Sequence, residues 1–247
     1  MKILGLTYNR HLLLKGDSAL LVNRKPFFIP DGVTRLIAYP ALALRVSRLG
    51  KNIAPKFADR YYNAVALALD IQAANLRDEL ASQGAPWTAA ASLDGSFPVG
   101  NFMDFNSSPK IGVKLSSTAC GSFWDCDREP VALVAREAIV RRKEFLRQGA
   151  EGQRSMKSAR FEVSRPEGPI SLSCPISLSS AAEAVARASA LMTIRQGDII
   201  YLPLQAEPID LHLEDVVTGY LELQEQPCPS SVGEEQPAEP NLFCRIK

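Results

Sequence analysis

The chain has little that would tie it to a metal–thiolate centre, a disulfide framework, a membrane or a polyanion. Its five cysteines, Cys120, Cys126, Cys174, Cys228 and Cys244, form no CxxC pair, and the two histidines, His11 and His212, form no cluster near them. That pattern argues against a zinc ribbon or a disulfide set, so the thiols read as reduced core or surface groups. The longest apolar runs are too short to span a bilayer. Met1 to Leu6 also gives way to Tyr8-Asn9-Arg10-His11 before a signal-peptide core could form. A cytoplasmic location with no membrane partner is therefore expected. A formal charge of +1 supplies no global pull on nucleic acid.

With 247 residues and 46% hydrophobic content, the chain is long enough to bury a substantial core in a single domain, 1–247. Short β-branched or alternating runs predict strands over Lys2 to Leu6, Leu20 to Val22, Leu42 to Val46, Ala64 to Leu69 and Asn241 to Ile246. Two helices are predicted. One, about Asp127 to Gln148, has Asp127 as N-cap, Pro130 early and Gly149 as a stop. It carries Arg136, Arg141, Arg142, Lys143 and Arg147, a face that could dock an anionic partner and that ordinarily is solvated. The other, about Ser180 to Leu191, is Ala-rich and suited to close packing on a sheet. Residues 224–240, rich in Pro, Glu, Gln and Ser, bury too little apolar surface to order themselves and are expected to form a disordered loop.

The densest information lies in Phe57 to Gly100. An apolar run, Ala64 to Leu69, ends at Asp70; a helix-compatible segment, Asn75 to Ser82, leads through Gly84 to Pro86-Trp87 and Asp94-Gly95-Ser96. Upstream stand Asn23-Arg24-Lys25-Pro26-Phe27-Phe28-Ile29-Pro30-Asp31 and Arg48-Leu49-Gly50-Lys51-Asn52-Ile53. Downstream stand Met192-Thr193-Ile194, Gly197-Asp198-Ile199-Ile200-Tyr201 and Gly219-Tyr220-Leu221-Glu222. In this order the blocks resemble the bacterial short form of the fumarylacetoacetate hydrolase (FAH) family. The resemblance covers about two thirds of the chain. It implies an α+β, mostly β fold, a mixed β-roll with flanking helices, commonly as a homodimer. Against relatives of this type, 101–164 is an inserted or divergent segment that includes the basic helix and the Gly149 to Ser155 linker.

The resemblance also implies a chemistry. Family members acting on short keto or diketo acids hold one magnesium or manganese ion through an ExE pair and an aspartate. Alternate strand residues share a face, so ExE delivers two carboxylates side by side. Counting back from Arg48-Leu49-Gly50-Lys51, the two glutamates fall on Tyr39 and Ala41; the aspartate falls on Asp70. Asp70 is thus the sole retained metal-ligand position. The family's arginine and aspartate in TARDLQ become Ala74 and Asn75, and its lysine before FDG becomes Ala91, while Asp94 is kept. The pocket turn after the last block reads Leu202-Pro203-Leu204-Gln205-Ala206-Glu207-Pro208. The family's His–Glu dyad falls on His11 and Leu14, which leaves the imidazole without a carboxylate to orient it. Little chain remains for a lid before Asp17-Ser18-Ala19.

Losing the metal, the dyad and the cationic contacts removes much of the 8 kcal/mol or more, roughly, that a typical enzyme supplies. The expectation is accordingly a non-catalytic FAH homologue, binding a small carboxylic acid or acting as an interaction protein, with no cofactor. The alternative is an active hydrolase, decarboxylase or isomerase on a short keto or diketo acid, with magnesium or manganese and a rebuilt site. Its candidate residues are His11, Asp94 and Asp70, with Asp78 or Glu79 in support.

Overall fold

The computed structural model describes residues 1–104, 156–166, 168–223 and 239–247. The elements run β1 (Ile3–Leu6), β2 (Leu12–Lys15), β3 (Leu20–Val22), β4 (Leu36–Val46), β5 (Tyr62–Ala73), α1 (Ala74–Ser82), α2 (Thr88–Ala91), β6 (Phe97–Val99) and β7 (Met103–Asp104). They continue with β8 (Met156–Ser164), β9 (Ile170–Pro175), α3 (Leu178–Leu191), β10 (Ile199–Pro203), β11 (Ile209–Leu211), β12 (Val216–Leu223) and β13 (Leu242–Arg245). The expected basic helix and its linker lie outside the described residues, as does nearly all of 224–240.

Among the described residues, nine strands form one mixed sheet in the order β2-β1-β10-β4-β5-β6-β3, with β11 on β4 and β7 on β5. The β1/β10 and β3/β6 pairs are parallel and the others antiparallel. A second, antiparallel sheet runs β13-β12-β8-β9. The architecture is the mostly β, mixed β-roll with flanking helices that the sequence leads one to expect.

Strands β4 and β5 are the spine. They read LIAYPALALRV and YNAVALALDIQA, and nearly every residue is buried, so both faces of the sheet are covered. One face packs Leu42, Leu44, Leu67 and Leu69 with Phe161 and Val217 of the second sheet and Ala184 and Val185 of α3. In α3, Ala181, Ala184, Val185 and Ala188 recur at helical spacing and form its buried stripe. The other face is a thinner layer of Ala41, Ala43, Ala66 and Ala68, filled by Phe97 and Tyr201.

Pro40 interrupts β4 without breaking it. The partner of β4 changes here, from β10 (Pro203 opposite Ala41) to β11 (Ile209 opposite Ala38), and the Pro40 carbonyl accepts from Leu204 N on that side. N–H and C=O of one strand residue point the same way, so the hydrogen that proline lacks would have faced this gap. The sheet therefore opens beside Tyr39. Among the described residues, no helix is long and apolar enough to cross a membrane.

Candidate active site

The thin layer of alanines leads, along the same strand faces, to the polar residues of the site. Alternation puts Tyr39 on the face of Ala41 and Ala43, and Asp70 and Gln72 on the face of Ala66 and Ala68. Register sets Tyr39 directly opposite Asp70. The Asp70 side chain is 8% exposed, and both of its oxygens are engaged: Oδ1 lies 2.6 Å from Lys15 Nζ, and Oδ2 accepts from Gln72 Nε2 at 2.9 Å.

Lys15 closes strand β2, and its side chain is fully buried. Its ammonium also donates to the carbonyls of Ala91 (2.5 Å) and Ile71 (3.2 Å) and to Ser96 Oγ (3.2 Å), with Ser96 O at 3.5 Å. Burial pulls the lysine pKa down, while the Asp70 charge and hydrogen bond oppose that pull. On β10, Tyr201 is also buried, its ring tilted 40° against Phe97 at 4.6 Å between centroids. Burial, then the nearby charge of Asp70, push its phenol well above the usual tyrosine range. The room for that ring comes from Gly5, opposite Tyr201 on β1, where any Cβ would overlap the phenol.

Above Asp70 a cleft of about 520 Å³ opens, lined by Thr7, Tyr39, Asp70, Gln72, Arg77 and Trp87. Arg77 lies one turn along α1 from Ala74, so the two share a helix face. It is partly exposed and only loosely paired, with Asp78 Oδ1 at 3.5 Å. Pro203 and Ala206, from the turn after β10, complete the wall. The cleft is within the usual size range for a small-molecule site. Asp70 is the one carboxylate among the residues lining it.

The other sequence candidates do not gather here. His11 is exposed in the β1–β2 hairpin, where its backbone pairs with Thr7. Asp94 is an exposed turn residue beside Gly95, whose φ of +69° suits glycine. Asp78 and Glu79 are exposed and are not among the residues lining the cleft. Asn75 holds a neighbouring loop: its Oδ1 accepts from Thr34 N and Arg35 N at 3.3 and 3.4 Å, and its Nδ2 donates to Gly32 O at 3.1 Å. Sequence reasoning missed Lys15, Ser96, Arg77 and the role of Tyr201. A lysine closing the apolar run Leu12 to Leu14 and an arginine three residues after Ala74 were the available signals.

The site does not suit a divalent ion of the magnesium or manganese kind. Such ions seek a shell of hard oxygens; Ala41 offers none, Tyr39 offers a phenol, and both Asp70 oxygens are already committed. An ammonium beside the carboxylate adds repulsion. Among the described residues, no group of three or more His, Cys, Asp or Glu side chains could hold a metal.

No protein-family model matches the chain. In sequence it is 32% identical over 98 residues to the mitochondrial oxaloacetate tautomerase of Caenorhabditis elegans, a stretch that is 40% of this chain and 46% of that protein. The chain thus spans about half the length of the curated relative it matches. In structure it is similar to fumarylpyruvate hydrolase from Pseudomonas aeruginosa, solved in complex with Mn2+ and pyruvate. The TM-score is 0.60 at 13% identity, over 100% of this chain and 89% of that one. It is also similar to 2-hydroxyhepta-2,4-diene-1,7-dioate isomerase from Mycobacterium marinum, at TM-score 0.58 and 16% identity, over 99% and 73% of the two chains. The fold is that of the FAH enzymes, and the sequence blocks and the curated match agree with it. These likenesses are consistent with an FAH-family protein.

Proposed function

We propose that the cleft binds a short 2-oxo acid with a second carboxylate and interconverts its keto and enol forms. The observation that carries this reading is Asp70, a lone carboxylate at the floor of a 520 Å³ cleft, with Arg77 on its wall. Asp70 takes a proton from C3 of the substrate; the C–H pair becomes the C2–C3 double bond, and the carbonyl pair goes to oxygen. That oxygen takes a proton from water or from the Tyr39 phenol, and Asp70 gives up its proton to solvent, which restores the donor. No electrons are gained or lost overall. Arg77 holds a substrate carboxylate, and Trp87 supplies an apolar wall. General base catalysis of this kind contributes about 10² to 10⁴ in rate, and enolisation asks less of a site than C–C cleavage does.

The names of the relatives, a tautomerase, a hydrolase and an isomerase, support an enzyme over the non-catalytic role expected from the sequence. One observation favours the non-catalytic reading: both Asp70 oxygens already have partners. The two readings separate in one experiment. Enol oxaloacetate is added to chelator-treated protein and its ultraviolet absorbance followed. Decay well above the buffer rate, saturating with substrate, supports the tautomerase; decay at the buffer rate with the acid still bound supports a binding protein. The homodimer and the cytoplasmic location expected from the sequence belong to this proposal, and equilibrium sedimentation tests the first.

A further inference from the structure

Five oxygens surround Lys15 Nζ within 3.5 Å: Asp70 Oδ1, the carbonyls of Ile71, Ala91 and Ser96, and Ser96 Oγ. An ammonium has three N–H donors, so five neighbours exceed what directional hydrogen bonds require. One carboxylate, three carbonyls and a hydroxyl are instead the donor set of a hard cation. The oxygens come from the end of β5, the end of α2 and the residue before β6, at sequence distances of 56, 76 and 81 for the three carbonyl contacts to Lys15. Whatever charge sits among them ties these segments together below the cleft.

We infer that Lys15 is the resident cation of this site: its tethered ammonium fills an oxygen cage that would otherwise take an external metal ion, and it thereby keeps the Asp70 carboxylate closed to metal. A tethered charge needs no supply from solution and cannot be removed by a chelator. It also accounts for a cleft whose one carboxylate is already paired with an ammonium. Lys15 has this part whatever reaction the cleft carries, so the metal titration below and the enol assay fail independently.

The test compares wild type with Lys15→Ala. Calorimetric titration of metal-stripped wild type with Mn2+ is expected to show no saturable binding up to millimolar ion, and its thermal midpoint should not move. Lys15→Ala exposes the five oxygens to solvent ions, and Mn2+ at a hundredfold excess over its Kd should raise the variant's midpoint by about 5 to 10 °C. A variant that is unfolded without Mn2+ and folds with it supports the inference equally. A one-to-one Mn2+ site of micromolar affinity in wild type would overturn it. So would a Lys15→Ala protein whose folding and midpoint are indifferent to the ion.

Discussion

The ring of Tyr201 occupies the space in which a side chain at position 5 would begin, so Gly5 and Tyr201 are a matched pair across β1 and β10. Small residues elsewhere in this layer, Ala41, Ala43, Ala66 and Ala68, repeat the theme. The sheet face is thin here, and the phenol that fills it lies near the charge of Asp70. Packing here serves the site.

Gly5→Ala should force the ring out of place and cost about 1 to 3 kcal/mol, the usual range for overpacking a core. A chemical-denaturation curve measures it. Combining it with Tyr201→Leu should recover part of the loss, because the two substitutions act on one contact. Equal and additive losses would mean that the close approach carries no strain.

Arg77→Ala should raise the KM for a 2-oxo diacid by roughly 10- to 100-fold, the scale of one lost charge-assisted contact. Its thermal midpoint should stay close to that of wild type, since the side chain is partly exposed and its pairing with Asp78 is loose. A change in kcat with KM unmoved would place Arg77 outside substrate binding.

Cys244 gives a pH dependence with a definite sign. Burial raises its thiol to about 12 in the folded chain, against 9.0 for the free group. Below pH 9 both states hold the proton and the full stability is present. Above it the unfolded chain ionises while the folded one does not, so stability falls as pH rises toward 12, by on the order of 3 to 4 kcal/mol at most. Urea midpoints at pH 8 and pH 11 should converge more closely in Cys244→Val than in wild type; identical shifts in the two proteins would contradict the assignment.

Much of the frame was legible because periodicity is local. The apolar run Ala64 to Leu69 reads as a strand, and the structure extends it to Tyr62–Ala73, with Asp70 a polar point on a buried surface. The strand expected over Leu42 to Val46 in fact begins at Leu36, because Pro40 is tolerated where β4 changes partners. That tolerance depends on the turn after β10, more than 160 residues downstream. Lys15 was illegible for the same reason. Nothing in Leu12 to Gly16 shows that its ammonium will meet carbonyls from Ile71, Ala91 and Ser96. The family blocks drew attention to Asp70, and its ion-pair partner Lys15 comes from elsewhere in the chain.

The most direct test of the proposed chemistry is solvent deuterium exchange at C3 of oxaloacetate, followed by proton NMR in the presence of chelator, with wild type against Asp70→Asn. Asparagine keeps the shape and the Gln72 contact but cannot take a proton, so exchange should fall by about 10² to 10⁴, toward the buffer rate. Circular dichroism checks that the variant, which leaves the Lys15 ammonium without its counter-charge, remains folded. Exchange in wild type that exceeds buffer and is lost in Asp70→Asn is the predicted result; exchange that is equal in buffer, wild type and variant would contradict the account.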